Sequence, residues 1–150
     1  MGDRIEALFQ EWYQLGGAVL VAEKELAQLT RQPEEVIAES TAYCRASGRL
    51  MWVVVDWLIR HIDQIDEKKL IQESREKGDL SVLGVLCDIA RLRKAHPKFE
   101  RVMAGCQPHP HIEPFFHRVA RSRLATQLAQ ENGLAVFQRW NYWCQELRYL

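Results

Sequence analysis

Leu50-Met51-Trp52-Val53-Val54-Val55-Asp56-Trp57-Leu58-Ile59 is the longest apolar stretch of the chain, and its reading decides the fold. It is about half as long as the ~20 residues a membrane-crossing helix requires, and Asp56 interrupts it. Arg49, Asp56, Arg60 and Asp63 make one polar stripe on an otherwise apolar helical surface. Residues 49–65 are therefore expected to form a helix at the centre of a protein core.

Working toward the N-terminus, Pro33-Glu34-Glu35 makes a favourable first helical turn. Proline needs no amide there, and carboxylates suit the positive end of the helix dipole. Val36, Ile37, Ser40, Tyr43 and Cys44 form one face of that helix, which Ser47-Gly48 is expected to close. Further back, Ile5, Leu8, Trp12, Leu15, Val19, Ala22, Leu26 and Leu29 recur at alternating spacings of three and four, a coiled-coil-like seam. Because the seam runs through Gly16-Gly17, one helix is expected over 3–29, on the order of 40 Å long at 1.5 Å per residue. Such a helix would pack along its length against other helices or against a second copy of the chain.

Toward the C-terminus, a polar helix over 67–77 should end at Gly78, and Asp79 is a suitable N-cap for the next, which carries Leu80, Leu83, Leu86, Cys87, Ile89 and Leu92. Pro97 should stop that helix near His96, a short helix should cover 98–104, and the two prolines of 105–111 mark a loop. Pro114 is expected to open a helix reaching Asn132, with Gly133 ending it. A last helix carries Val136, Phe137, Trp140, Trp143, Leu147 and Leu150 on one side. No segment alternates with period two between turn residues, so no strand is expected. The fold class that follows is all-α: a compact bundle of six to eight helices in a single domain over 1–150, with a long N-terminal amphipathic helix.

With 27% charged residues, eight glycines and five prolines, the composition disfavours disorder, and no repeat is visible. The first residues lack the basic and apolar regions of a signal peptide, and Glu6 stands where a myristoylation motif has Ser or Thr. A cytoplasmic location is expected. Cys44, Cys87, Cys106 and Cys144 are widely spaced with no C-x-x-C pair, and are expected to be buried free thiols.

Net charge is zero, yet it is unevenly spread. Residues 1–75 carry nine Lys/Arg against thirteen Asp/Glu, and 76–150 carry eleven against seven. Eight basic residues, two acidic ones and four of the five histidines fall within 91–123. A field of that sign attracts anions.

Four constellations bear on chemistry. Asp56 and Arg60 are four apart and face each other on one helix, as an intrahelical ion pair would or a carboxylate held for acid–base work. Cys106, His109, His111, Glu113 and His117 are ligand-type residues at short spacing, but no second ligand pair stands elsewhere at motif spacing, so no bound metal is expected. Leu128 to Leu134 has the spacing of a helix-turn-helix turn, although the segment after it displays Phe137, Trp140, Tyr142 and Trp143 rather than polar residues suited to base edges. Arg91 and His96, in Arg-x4-His spacing, resemble the catalytic motif of HEPN-type ribonucleases, in which arginines and histidines from two subunits cleave RNA. That resemblance covers six residues, Leu92 replaces the polar residue that usually follows the arginine, and on a regular helix the pair would stand ~140° apart.

The remaining signal is basic. Arg91, Arg93, Lys94, Lys98, Arg101, His117, Arg118 and Arg121 are the candidate nucleic-acid-binding residues, suited to phosphates rather than base edges. The function expected is that of a non-enzymatic helical interaction subunit that contacts nucleic acid or a nucleoprotein assembly through its basic C-terminal half, with no cofactor, metal or catalytic residues. The alternatives are a protein-only scaffold, chaperone or inhibitor using the 3–29 helix, and a small HEPN-like ribonuclease.

Overall fold

The computed structural model describes residues 2–19, 31–117 and 134–144. Within them lie α1 (Gly2–Gln14), α2 (Pro33–Thr41), α3 (Gly48–His61), α4 (Glu67–Lys77), α5 (Leu80–Arg93), α6 (Pro97–Ala104) and α7 (Ala135–Arg139), with two short strands, β1 (Glu113–Pro114) and β2 (Tyr142–Trp143). Short 3-10 turns at Cys44–Ala46 and Ile62–Gln64 flank α3. The fold is an all-α bundle. No helix among the described residues is long and apolar enough to cross a membrane.

Local chemistry sets most boundaries. Ser47, Asp66, Asp79 and His96 each cap a helix, their side chains accepting backbone N–H groups of the first turn. Pro33 and Pro97 occupy first-turn positions. The helix α2 ends at Thr41, earlier than Ser47-Gly48 suggested, because the Ser40 and Thr41 hydroxyls donate back to the carbonyls of Val36 and Ala38. Likewise α5 stops at Arg93, since Lys94 and His96 are extended ahead of Pro97.

Three expectations are overturned. The first helix does not run from 3 to 29: it stops at Gln14, and Gly16 adopts a left-handed φ of 85°. The Gly17 N–H donates to the Trp12 carbonyl at 2.7 Å and the Gly16 N–H to that of Tyr13 at 3.1 Å, the paired bonds of a Schellman stop. Trp57 Nε1 and an Arg60 nitrogen then donate to the freed carbonyls of Leu15 and Gly16, each at 3.1 Å. Residues 20–29, the rest of the seam, lie outside the described residues.

Second, Pro114 does not open a helix but lies in a short strand, where no strand was expected, and the rest of the expected helix, 118–132, lies outside the described residues. Glu113 and Phe115 donate their N–H groups to Asn141 and Trp143 across a parallel pair, so the proline, which has no N–H, falls where the ladder needs no donor. Third, the last helix is interrupted. After α7 the chain turns at Asn141, at a left-handed φ of 63°, and continues as β2. Leu147 and Leu150 lie outside the described residues.

The core surrounds α5. All ten residues from Ser81 to Ala90 are buried, and α5 packs against α3 and α6, while α2 lies along α4. Leu50, Val54 and Leu58 of α3 are completely buried in the same core.

On the outside, α1 is tied down by charge. Arg31 grips Glu11 with two nitrogens and Glu39 with a third, and Arg4 also pairs with Glu39. Partial burial opposes ionisation of Glu39, but the two arginines outweigh it and hold its carboxyl below the usual range. A depressed folded-state pKa contributes stability that is present above the unfolded value of about 4.3 and is lost as pH falls through the folded value. Acid titration of unfolding should therefore show a limb below about pH 4 that Glu39→Gln flattens. Superimposable limbs for the two proteins would remove this role for Glu39.

Candidate anion-binding surface

A single carboxylate organises the junction between the helical bundle and the C-terminal segment. Asp88, on α5, is completely buried. Its Oδ1 accepts from Arg91 Nε at 2.8 Å, and its Oδ2 accepts from Arg139 Nη1 at 2.5 Å and from Trp140 Nε1 at 3.1 Å. Three charge-assisted or buried hydrogen bonds thus satisfy an ion that could not otherwise sit in the core. The Trp140 ring packs against α5 at Gly84, where even a Cβ would come within 2.4 Å of it. One acid holds two cations, and their side chains remain 27% and 49% exposed, at Arg91 and Arg139 respectively.

Substituting Asp88 by Ala should destabilise the protein by about 2–3 kcal/mol, since the Trp140 N–H loses its partner and two cations lose theirs. The exposed parts of the guanidiniums regain water, which keeps the cost below that of a fully buried pair. Urea unfolding measures it. An unchanged midpoint would show that Asp88 holds nothing together.

The other candidate residues divide. Lys98 Nζ donates to the carbonyls of Asp63 and Ile65 at 2.8 and 2.9 Å, capping the 3-10 turn after α3. Arg101 grips Glu67 with two nitrogens, at 2.7 and 2.9 Å, and this pairing holds the Glu67 carboxyl below its usual range. Both therefore face α4 and its approach. Arg93 and Lys94 are exposed at the end of α5, beside Arg91. His117 is exposed and its N–H donates to the Arg45 carbonyl at 3.0 Å. Arg118 and Arg121 lie outside the described residues, as does most of the helix-turn-helix-like segment, 128–133.

Arg139 is the cation that sequence reasoning missed. Sequence reasoning also missed Asp88, the one acid in the apolar run of α5.

The histidine and cysteine cluster serves the scaffold. Glu113 pairs with Arg45 at 2.6 Å and with His109 at 3.2 Å, while Arg45 also donates to the carbonyls of Pro114 and Phe115, both at 2.7 Å. The Arg45 guanidinium covers the Tyr142 ring, 4.8 Å from its centroid, and the His109 ring packs on it at 5.2 Å. Burial pushes the Tyr142 phenol up to about 12, so it stays protonated and can donate to Ser81 Oγ at 2.6 Å, which in turn donates to Asp79 at 2.5 Å. Cys106 Sγ donates to the Val102 carbonyl, and burial raises that thiol to about 12. Burial also raises Cys44 and Cys87, and the thiolates that nucleophiles or metal ligands need are disfavoured at all three. Among the described residues no three His, Cys, Asp or Glu side chains group in a way that could hold a metal ion.

Arg91 and His96 do not share a helix. His96 follows the end of α5 and its Nδ1 accepts from the Lys98 N–H at 3.1 Å, as the cap of α6. Asp56 and Arg60 form an ion pair at 3.0 Å at the edge of the core, with Arg60 also capping α1. Comparison of the chain with protein-family models, with curated proteins and with solved structures finds no match.

Proposed function

We propose that this protein is a non-enzymatic helical interaction subunit of the cytoplasm that contacts nucleic acid, or a nucleoprotein assembly, through a basic surface at the end of α5. The observation that carries the reading is the charge of the two stretches meeting at Asp88. Residues 89–97 and 134–144 contain Arg91, Arg93, Lys94 and Arg139 and no Asp or Glu. Asp88 neutralises part of this charge from beneath, which leaves a positive excess facing outward. Such a surface follows a phosphate backbone and has no polar row with which to read bases. Arg118 and Arg121, close in sequence to His117, are proposed to extend it.

The test is retention of generic single- and double-stranded oligonucleotides at low ionic strength, with Arg93→Glu plus Lys94→Glu as the variant. Both positions are exposed, so helicity should persist while retention falls. RNA recovered intact supports a binding subunit, and RNA recovered cleaved favours the HEPN-like alternative. If the wild type retains no oligonucleotide, the nucleic-acid reading fails. Leu92, 65% exposed among these cations, favours the protein-only alternative in that event.

A further inference from the structure

We propose that Arg91 and Arg139, fixed by Asp88, form a discrete site for one phosphate monoester group. The surface would then favour the phosphorylated end of a nucleic-acid strand over its interior. This rests on the nucleic-acid reading above and narrows it to a ligand group.

The argument begins with preorganisation. A guanidinium is a planar fork of five donors. Asp88 takes one N–H from each arginine, on different oxygens, so both forks are anchored on one completely buried carboxylate. Trp140 pins that carboxylate from a third direction, and its own ring is fixed against Gly84. The donors not spent on Asp88 belong to side chains that keep part of their surface in solvent. Binding there costs little side-chain entropy, because the forks are already ordered.

Charge then selects the ligand. Two cations over one anion leave an excess of one, with no acid in 89–97 or 134–144 to oppose it. A backbone diester offers one negative charge, whereas a terminal monoester carries about 1.5 to 2 and has three acceptor oxygens rather than two available. Paired arginines recognise such a group bidentately. The other polar clusters fit less well. In the network of Arg45, Glu113, His109, Tyr142, Ser81 and Asp79, the named groups are hydrogen-bonded or paired to one another or to backbone, which makes it a brace.

The experiment uses the whole chain and two single-stranded oligonucleotides of one sequence, one with a 5′-phosphate and one with a 5′-hydroxyl. The phosphorylated strand should bind about tenfold tighter, the gain expected of one added charge-assisted hydrogen bond. Arg139→Gln should weaken both and erase the difference, and Arg139→Lys should restore only part of it, since lysine lacks the fork. A second readout needs no oligonucleotide: inorganic phosphate should raise the melting temperature of the wild type more than that of Arg139→Gln, against chloride at matched ionic strength. Equal affinity for the two strands, or an equal preference in Arg139→Gln, overturns the site while leaving backbone binding in place. If neither strand is retained, the functional reading falls, and the phosphate melting shift alone decides the site: a shift of the same size in both proteins sinks it.

Discussion

Trp12→Ala should destabilise the protein by about 3–5 kcal/mol, the range for emptying a large buried aromatic site. Trp12 is completely buried, its indole N–H donates to Ser40 Oγ at 3.0 Å, and its ring centroid lies 5.6 Å from that of Trp57. This one side chain thus joins α1 to both α2 and α3. Ser40 also donates to Val36, so the loss is mainly one of packing and only secondarily of a hydrogen bond. For a chain of this size the melting temperature should fall by on the order of 10 °C. Trp12→Phe, which keeps much of the ring but loses the N–H, should cost about 1–2 kcal/mol. A loss below about 1 kcal/mol for the alanine variant would mean that α1 contributes little to the core.

Gly78→Ala should be nearly as damaging, at about 3 kcal/mol, although it adds only a methyl group. A Cβ at Gly78 would lie 2.1 Å from the Ala38 carbonyl oxygen and 2.3 Å from Thr41 Oγ1. Neither neighbour can yield cheaply. The first is backbone inside α2; the second is a buried hydroxyl that donates to Ala38 and accepts from the Asp79 N–H, stitching the α4–α5 link onto α2. The alanine therefore has to push α4 away from α2, the helix against which it packs most extensively. Thermal unfolding followed by circular dichroism measures the effect, and a melting temperature unchanged within a degree or so would contradict the close approach.

Features encoded by neighbours in sequence were legible without a structure. Pro33 with Glu34 and Glu35, Asp79 ahead of α5, and Gly78 after α4 each carry their reason locally, in a missing donor, a capping carboxylate or a helix stop. The stretch 50–59 likewise reads as a core helix from its composition. Gly16-Gly17 reads as helix interior because the apolar period continues beyond it, and only the Schellman bonds show that the helix ends there. Pro114 followed a helix-start pattern locally, while what places it in a strand is a partner at Trp143, which no local signal announces.

The candidate surface was legible only as an excess of charge. Sequence gathered Arg91, Arg93, Lys94, Lys98 and Arg101 by proximity, but Lys98 and Arg101 turn toward α4 and the 3-10 turn after α3. Arg139 enters from 51 residues beyond Asp88, a distance across which spacing carries no information. Asp88 itself had one clue, a lone acid in the run Leu80-Ser81-Val82-Leu83-Gly84-Val85-Leu86-Cys87-Asp88-Ile89-Ala90. A charge so placed must find cations or be expelled. The partners it would find could not be named in advance.

The most direct test of the account is the salt dependence of oligonucleotide affinity for the intact chain. Each phosphate neutralised releases condensed counterions, so the logarithm of affinity should fall linearly with the logarithm of salt, by about 0.7 per contact on a single strand. A surface engaging three to four cations around Asp88 predicts a slope of roughly −2 to −3, reduced by about 0.7 in Arg139→Gln. A slope near zero, or one that the variant leaves unchanged, would contradict the claim that the arginines anchored by Asp88 meet phosphate.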